Sequence, residues 1–103
     1  AQIDWSRTAR ELDALVRGLN PVPYAETHLG DARYKIGMLS LTGERTDAPH
    51  GTILTADRRA GLRVAAGDEI VQVTEIQAPG KRMMSTSDFL NGCALTAGAR
   101  FTS

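Results

Sequence analysis

From Arg7 to Leu19 the apolar residues Leu12, Leu15, Val16 and Leu19 recur at the i, i+3, i+4, i+7 spacing of one helix face, while Arg10, Glu11, Asp13 and Arg17 fill the other. The spacing predicts an amphipathic helix. Ser6 is placed to cap its start, and Asn20-Pro21 ends it, because the residue before a proline is pushed out of the α region. Pro21 and Pro23 then make a stiff extended elbow.

Beyond the elbow the period changes to alternation. A short strand, Ala25 to Leu29, leads through the turn Gly30-Asp31 into a second one, with Tyr34, Ile36 and Met38 on one side and Arg33, Lys35 and Gly37 on the other. Leu41 to Gly51 is polar and reads as an exposed loop. Thr52 to Ala56 and Leu62 to Ala66 are two further strands, joined by the turn Asp57 to Gly61; in the second of them Arg63 points away from Leu62 and Val64. Gly67-Asp68 turns the chain into a longer strand, Glu69 to Gln77. Val71 and Val73 share a parity there that Ile76 breaks, so a β-bulge near Thr74 is expected. Ser85-Thr86-Ser87-Asp88 has the form of a helix cap, predicting a short helix over Thr86 to Asn91 with Gly92 as its C-cap, and Arg100 to Ser103 returns as a last strand. Short strands with frequent turns predict a mainly β chain with short helices, arranged as a small antiparallel barrel behind the amphipathic helix.

The 103 residues are 42% hydrophobic and 23% charged, which fits one domain over residues 1–103 and leaves no room for a second. Twelve Lys and Arg balance twelve Asp and Glu, so a polyanionic partner has to be held by a local patch and not by the summed field. The single Cys93 and the absence of zinc-like Cys/His spacing point to a reducing compartment and a metal-free fold. No apolar run is long enough for a membrane span and no charged leader precedes an apolar stretch, so a soluble cytoplasmic protein is expected. The chain opens on Ala1 without an initiating Met, the expectation being a piece of a longer protein.

No catalytic constellation is visible. His28 falls in a strand and His50 in a loop, neither with a triad partner nearby, and Cys93 follows a helix end, where a thiolate is not favoured. The glycines fit neither a dinucleotide nor a P-loop pattern and act as turn residues. Trp5 reads as a core anchor and Met83-Met84 as core filler. The informative charges are basic: Arg33 and Lys35 on one strand face, Arg58-Arg59 in a turn, outward Arg63, and Lys81-Arg82 after Pro79-Gly80 and beside a helix N-terminus. A solvated rim and a platform for nucleic-acid backbones both fit such charges.

Three segments, Ile3-Asp4-Trp5-Ser6, Gly18-Leu19-Asn20-Pro21-Val22-Pro23 and Pro79-Gly80-Lys81-Arg82-Met83-Met84-Ser85-Thr86-Ser87-Asp88-Phe89-Leu90-Asn91-Gly92, together resemble the C-terminal domain of methionyl-tRNA formyltransferases in order and spacing. The resemblance spans nearly the whole chain. It implies an open, OB-like barrel that follows an N-terminal catalytic domain, where 10-formyltetrahydrofolate binds, and that helps to hold initiator tRNA while its methionine is formylated. The catalytic residues and the cofactor belong to that other domain, so no catalytic, cofactor or metal residue is expected in this chain. Arg33, Lys35, Arg63, Lys81 and Arg82 are the candidate contacts to the tRNA backbone; Lys81 and Arg82 match basic positions of the family. Tyr24 departs from it, standing where a glycine usually follows Asn-Pro-x-Pro. The alternative is the corresponding domain of a sugar or other small-molecule formyltransferase, packing on its catalytic domain without touching RNA.

Overall fold

A computed structural model describes residues 1–103. Helix α1 spans Ala9–Leu19 and begins later than the hydrophobic spacing implies, because the cap is Thr8 and not Ser6. Glu11 N–H donates to the Thr8 hydroxyl and Thr8 N–H donates back to the Glu11 carboxylate at 3.0 Å, a reciprocal capping box. Those bonds from Thr8 hold the Glu11 carboxyl below its ordinary pKa. Ser6 turns instead to Asp4, donating its hydroxyl and its N–H to the same carboxylate oxygen at 2.6 and 3.1 Å. Ala9, Leu12 and Val16 are the buried face, with Leu15 and Leu19 at its margin. Asn20 ends the helix in extended backbone, as expected before proline.

The elbow is a turn and not an extended segment: both Asn20-Pro21 and Val22-Pro23 are cis. Tyr24 closes it at φ 72°, with its N–H donating to Leu19 O at 2.8 Å. A left-handed φ costs an L-residue with a Cβ about 1–2 kcal/mol, so glycine suits this position better than the tyrosine that occupies it.

The strands are β1 (Ala25–Leu29), β2 (Ala32–Arg45), β3 (Ile53–Asp57), β4 (Gly61–Ala65), β5 (Glu69–Gln77) and β6 (Met84–Ser85), followed by helix α2 (Thr86–Gly92). All ladders are antiparallel, in the order β1-β2-β5-β4-β3, with β6 added to β5. The chain is mainly β with short helices, but the expected barrel is corrected: β1 and β3 end the path and do not pair, so the sheet stays open. The expected last strand is the reason. Thr102 bridges His28 and Arg100 bridges Thr52, one isolated pair with each edge, so the tail forms a ladder with neither.

β2 also runs further than expected, into what reads as a loop. Leu41 pairs with Val71 and Arg45 with Glu69, and the Thr42 hydroxyl donates to Ile70 O at 2.6 Å, so polar residues are held in the sheet by their partner strand. The register shifts three times between these strands: Gly37 is extra on β2, Thr74 is extra on β5, and β2 carries two extra residues between Leu41 and Arg45. The bulge at Thr74 returns Ile76 to the face of Val71 and Val73, so all three are buried.

Under the sheet lies one core, in which Trp5 and Phe101 stack with ring centroids 5.8 Å apart and Tyr34 meets Phe101 and Phe89 edge-on. Trp5 is the anchor its position implies, and Met84 packs against the core from β6. The Ser85 hydroxyl accepts Asp88 N–H at 3.1 Å and starts α2, whose last residue is Gly92, with Cys93 as C-cap. No helix is long and apolar enough to cross a membrane.

Candidate nucleic-acid interface

Lys35 on β2 stands opposite Gln77, the last residue of β5. The chain then turns through Pro79-Gly80, with Gly80 at φ 73° and Lys81 N–H donating to Ala78 O at 3.0 Å. Gln77 Nε2 donates to Lys81 O at 2.7 Å, which ties the turn back to the strand end and fixes where Lys81 and Arg82 leave the sheet. Both are exposed. Across the strand pair, the β1–β2 turn brings Asp31 and Arg33 to the same end. The result is an open groove of about 690 Å³, lined by Asp31, Arg33, Lys35, Gln77 and the Ala78-Pro79-Gly80 turn.

Charge in this groove is partly balanced. Arg33 lies 3.7 Å from Glu26, and the sheet register sets Glu26 directly opposite Lys35. Lys35 itself is half-buried. Lys81 and Arg82 form no ion pair.

Arg63 is placed elsewhere and differently from its expected outward, solvated position. Parity does turn it away from the core, but its guanidinium pairs with Glu44 at 3.0 Å, its side chain is only 29% exposed, and its Nε is buried without a partner. It stands opposite Gln72, five residues along β5 from Gln77, which is roughly 16 Å at strand rise. The fold thus brings Arg33, Lys35, Lys81 and Arg82 to one end of the sheet and leaves Arg63 outside. Gln77, which holds the loop, has no signal of its own in the sequence beyond its place between a strand and a Pro-Gly turn.

The nucleophile and base candidates are scattered. His28 Nδ1 lies 2.9 Å from the Ser103 carbonyl, His50 gives its carbonyl to Arg100 Nε at 2.7 Å, and Cys93 is half-buried at the end of α2. No group of three or more His, Cys, Asp or Glu is placed to hold a metal ion.

Residues 1–94 match the family described as formyl transferase, C-terminal domain. The methionyl-tRNA formyltransferase of Roseobacter denitrificans is 43% identical over 101 residues, covering 98% of this chain and 31% of the relative. That of Thiobacillus denitrificans is 44% identical over 101 residues, covering 97% and 32%, and that of Clostridium novyi 39% identical over 92 residues, covering 89% and 29%. The chain spans about a third of the length of the curated relatives it matches.

Proposed function

The chain belongs to the formyl transferase C-terminal domain family, and from that premise we propose that it is the tRNA-holding domain of a cytoplasmic methionyl-tRNA formyltransferase. It performs no formyl transfer itself. The reaction and its 10-formyltetrahydrofolate are assigned to an N-terminal catalytic domain, since the chain matches the C-terminal domain family and spans about a third of the length of its relatives. This domain supplies a fixed electrostatic grip on the backbone of initiator tRNA.

The observation that carries the reading is the gathering at one end of the sheet of Arg33 and Lys35, which line the groove, and of Lys81 and Arg82, which follow the Pro79-Gly80 turn at its wall, in a chain of net charge 0. A neutral molecule has no long-range field to hold RNA, so the local cluster has to do it. Arg33 and Lys35 sit on β2, which is paired on both sides, and the loop is bonded to Gln77, so little ordering is needed on binding. Arg63, committed to Glu44, contributes at most after that pair opens.

Binding of the 103-residue chain to initiator tRNA across a salt series tests this. With three or four phosphates neutralised, log K should fall against log salt with a slope of about −3, roughly 60-fold between 50 and 200 mM salt. The second reading, a packing domain that makes no RNA contact, is favoured by Glu26, which lies between Arg33 and Lys35 and offsets part of their charge. No binding at low salt would leave that reading standing and remove the first.

A further inference from the structure

We infer that the Arg58-Arg59 tip of the β3–β4 hairpin is a second contact for the phosphodiester backbone of the same RNA. This rests on the tRNA-holding reading and extends it to a part of the surface outside the first groove. Arg58 and Arg59 are both exposed, and neither forms an ion pair. The one acid beside them, Asp57, accepts the backbone N–H groups of Arg59 and Ala60 at 2.9 and 2.7 Å, so its carboxylate is engaged by the turn and not by either guanidinium.

Asp57, Arg58 and Arg59 of the tip line a cleft of about 260 Å³ together with Gln72, Thr74, Ser85 and Ser87. Two guanidinium groups beside hydroxyl and amide side chains, with the one carboxylate of the cleft, Asp57, bonded to turn amides, suit phosphate and sugar oxygens, which take most protein–nucleic acid hydrogen bonds. The two stations are connected. Val71, Val73 and Ile76 are buried on the inner face of β5, so Gln72 and Thr74 in this cleft and Gln77 in the first groove share the outer face, despite the bulge between them. Gln72 and Gln77 are roughly 16 Å apart along the strand, a span that a few nucleotides of one backbone cover. One backbone can therefore meet both.

The test is a salt series of tRNA binding by the 103-residue chain and three variants: R58A/R59A, K81A/R82A, and R10A as a control for net charge on the outer face of α1. All three replace exposed side chains, and a melting curve for each confirms that the fold is kept. Two contacts beyond those of the groove should steepen the wild-type slope from about −3 to about −4.5, and R58A/R59A should flatten it by about 1.5, while R10A leaves it unchanged. A slope for R58A/R59A equal to that of the wild type, with K81A/R82A flattened, overturns the second contact and leaves the groove reading intact. Flattening by R58A/R59A alone supports the tip and removes the groove. Equal flattening by R58A/R59A and R10A assigns the effect to bulk charge and overturns the inference.

Discussion

Replacing Trp5 by Ala should destabilise the chain by about 3–5 kcal/mol, the range for deleting a large aromatic from a packed core. Trp5 is 2% exposed and joins three separate pieces of chain. Its indole N–H donates to the Thr27 hydroxyl on β1 at 2.8 Å, that hydroxyl donates to Thr102 O in the tail at 2.7 Å, and the ring stacks on Phe101. Truncation removes the stack, leaves a cavity under the sheet and takes a donor from a buried oxygen, so the transfer, cavity and hydrogen-bond losses act together. For a domain of this size each kcal/mol moves Tm by about 4–8 °C, so calorimetry should show a fall of about 12–40 °C. A fall of only a few degrees would mean that the tail is held by something other than this stack.

Replacing Gly67 by Ala should cost about 3 kcal/mol, at the upper end of the usual range for overpacking. The β4–β5 turn presses on the start of α1: Gly67 N–H donates to Arg7 O at 2.8 Å, and Asp68 Oδ1 accepts Ala9 N–H at 2.9 Å. A Cβ on Gly67 would fall against the Ser6 carbonyl and within 2.9 Å of Arg7 O. These are backbone atoms, which cannot swing aside as a flexible side chain would. Relief requires lifting the helix start off the turn, which breaks both bonds. Urea denaturation should show a lower midpoint with an unchanged m value. A stability within about 0.5 kcal/mol of the wild type would contradict the close approach.

The same turn shows where local sequence ends as a guide. Gly67-Asp68 is legible as a turn from its composition, but that Asp68 bonds the first turn of a helix 59 residues away is not, since nothing in the intervening chain encodes the docking. Short-range rules served well elsewhere. The alternation of β5 gives its limits, and the break in parity at Ile76 reveals the bulge at Thr74. Asn20-Pro21 marks the end of α1. At its start two hydroxyls compete, and Ser6 loses because Asp4 captures both its donors, while Thr8 has Glu11 at the spacing a capping box needs. The polar residues of Leu41 to Arg45 read as a loop because the strand that holds them is β5, far along the chain. The tail departs from a regular strand for the same kind of reason, since its single bridges to two edges depend on where Phe101 is buried. In the candidate site, strand parity places Arg33 and Lys35 on one face, and the Pro-Gly turn places Lys81 and Arg82 in a loop. That these pairs meet follows from the β2–β5 register, and that Arg63 is taken by Glu44 follows from a contact across 19 residues of sequence.

Backbone amide shifts, recorded as initiator tRNA is added to the isotope-labelled chain at low salt, test most directly whether RNA is held at this end of the sheet. The amides of Arg33, Lys35, Gln77, Lys81 and Arg82 should move together and return when salt is raised, while those of Arg10 and Ala14 on the exposed side of α1 stay still. Shifts confined to α1, or none at low salt, would contradict a tRNA-holding role for the groove.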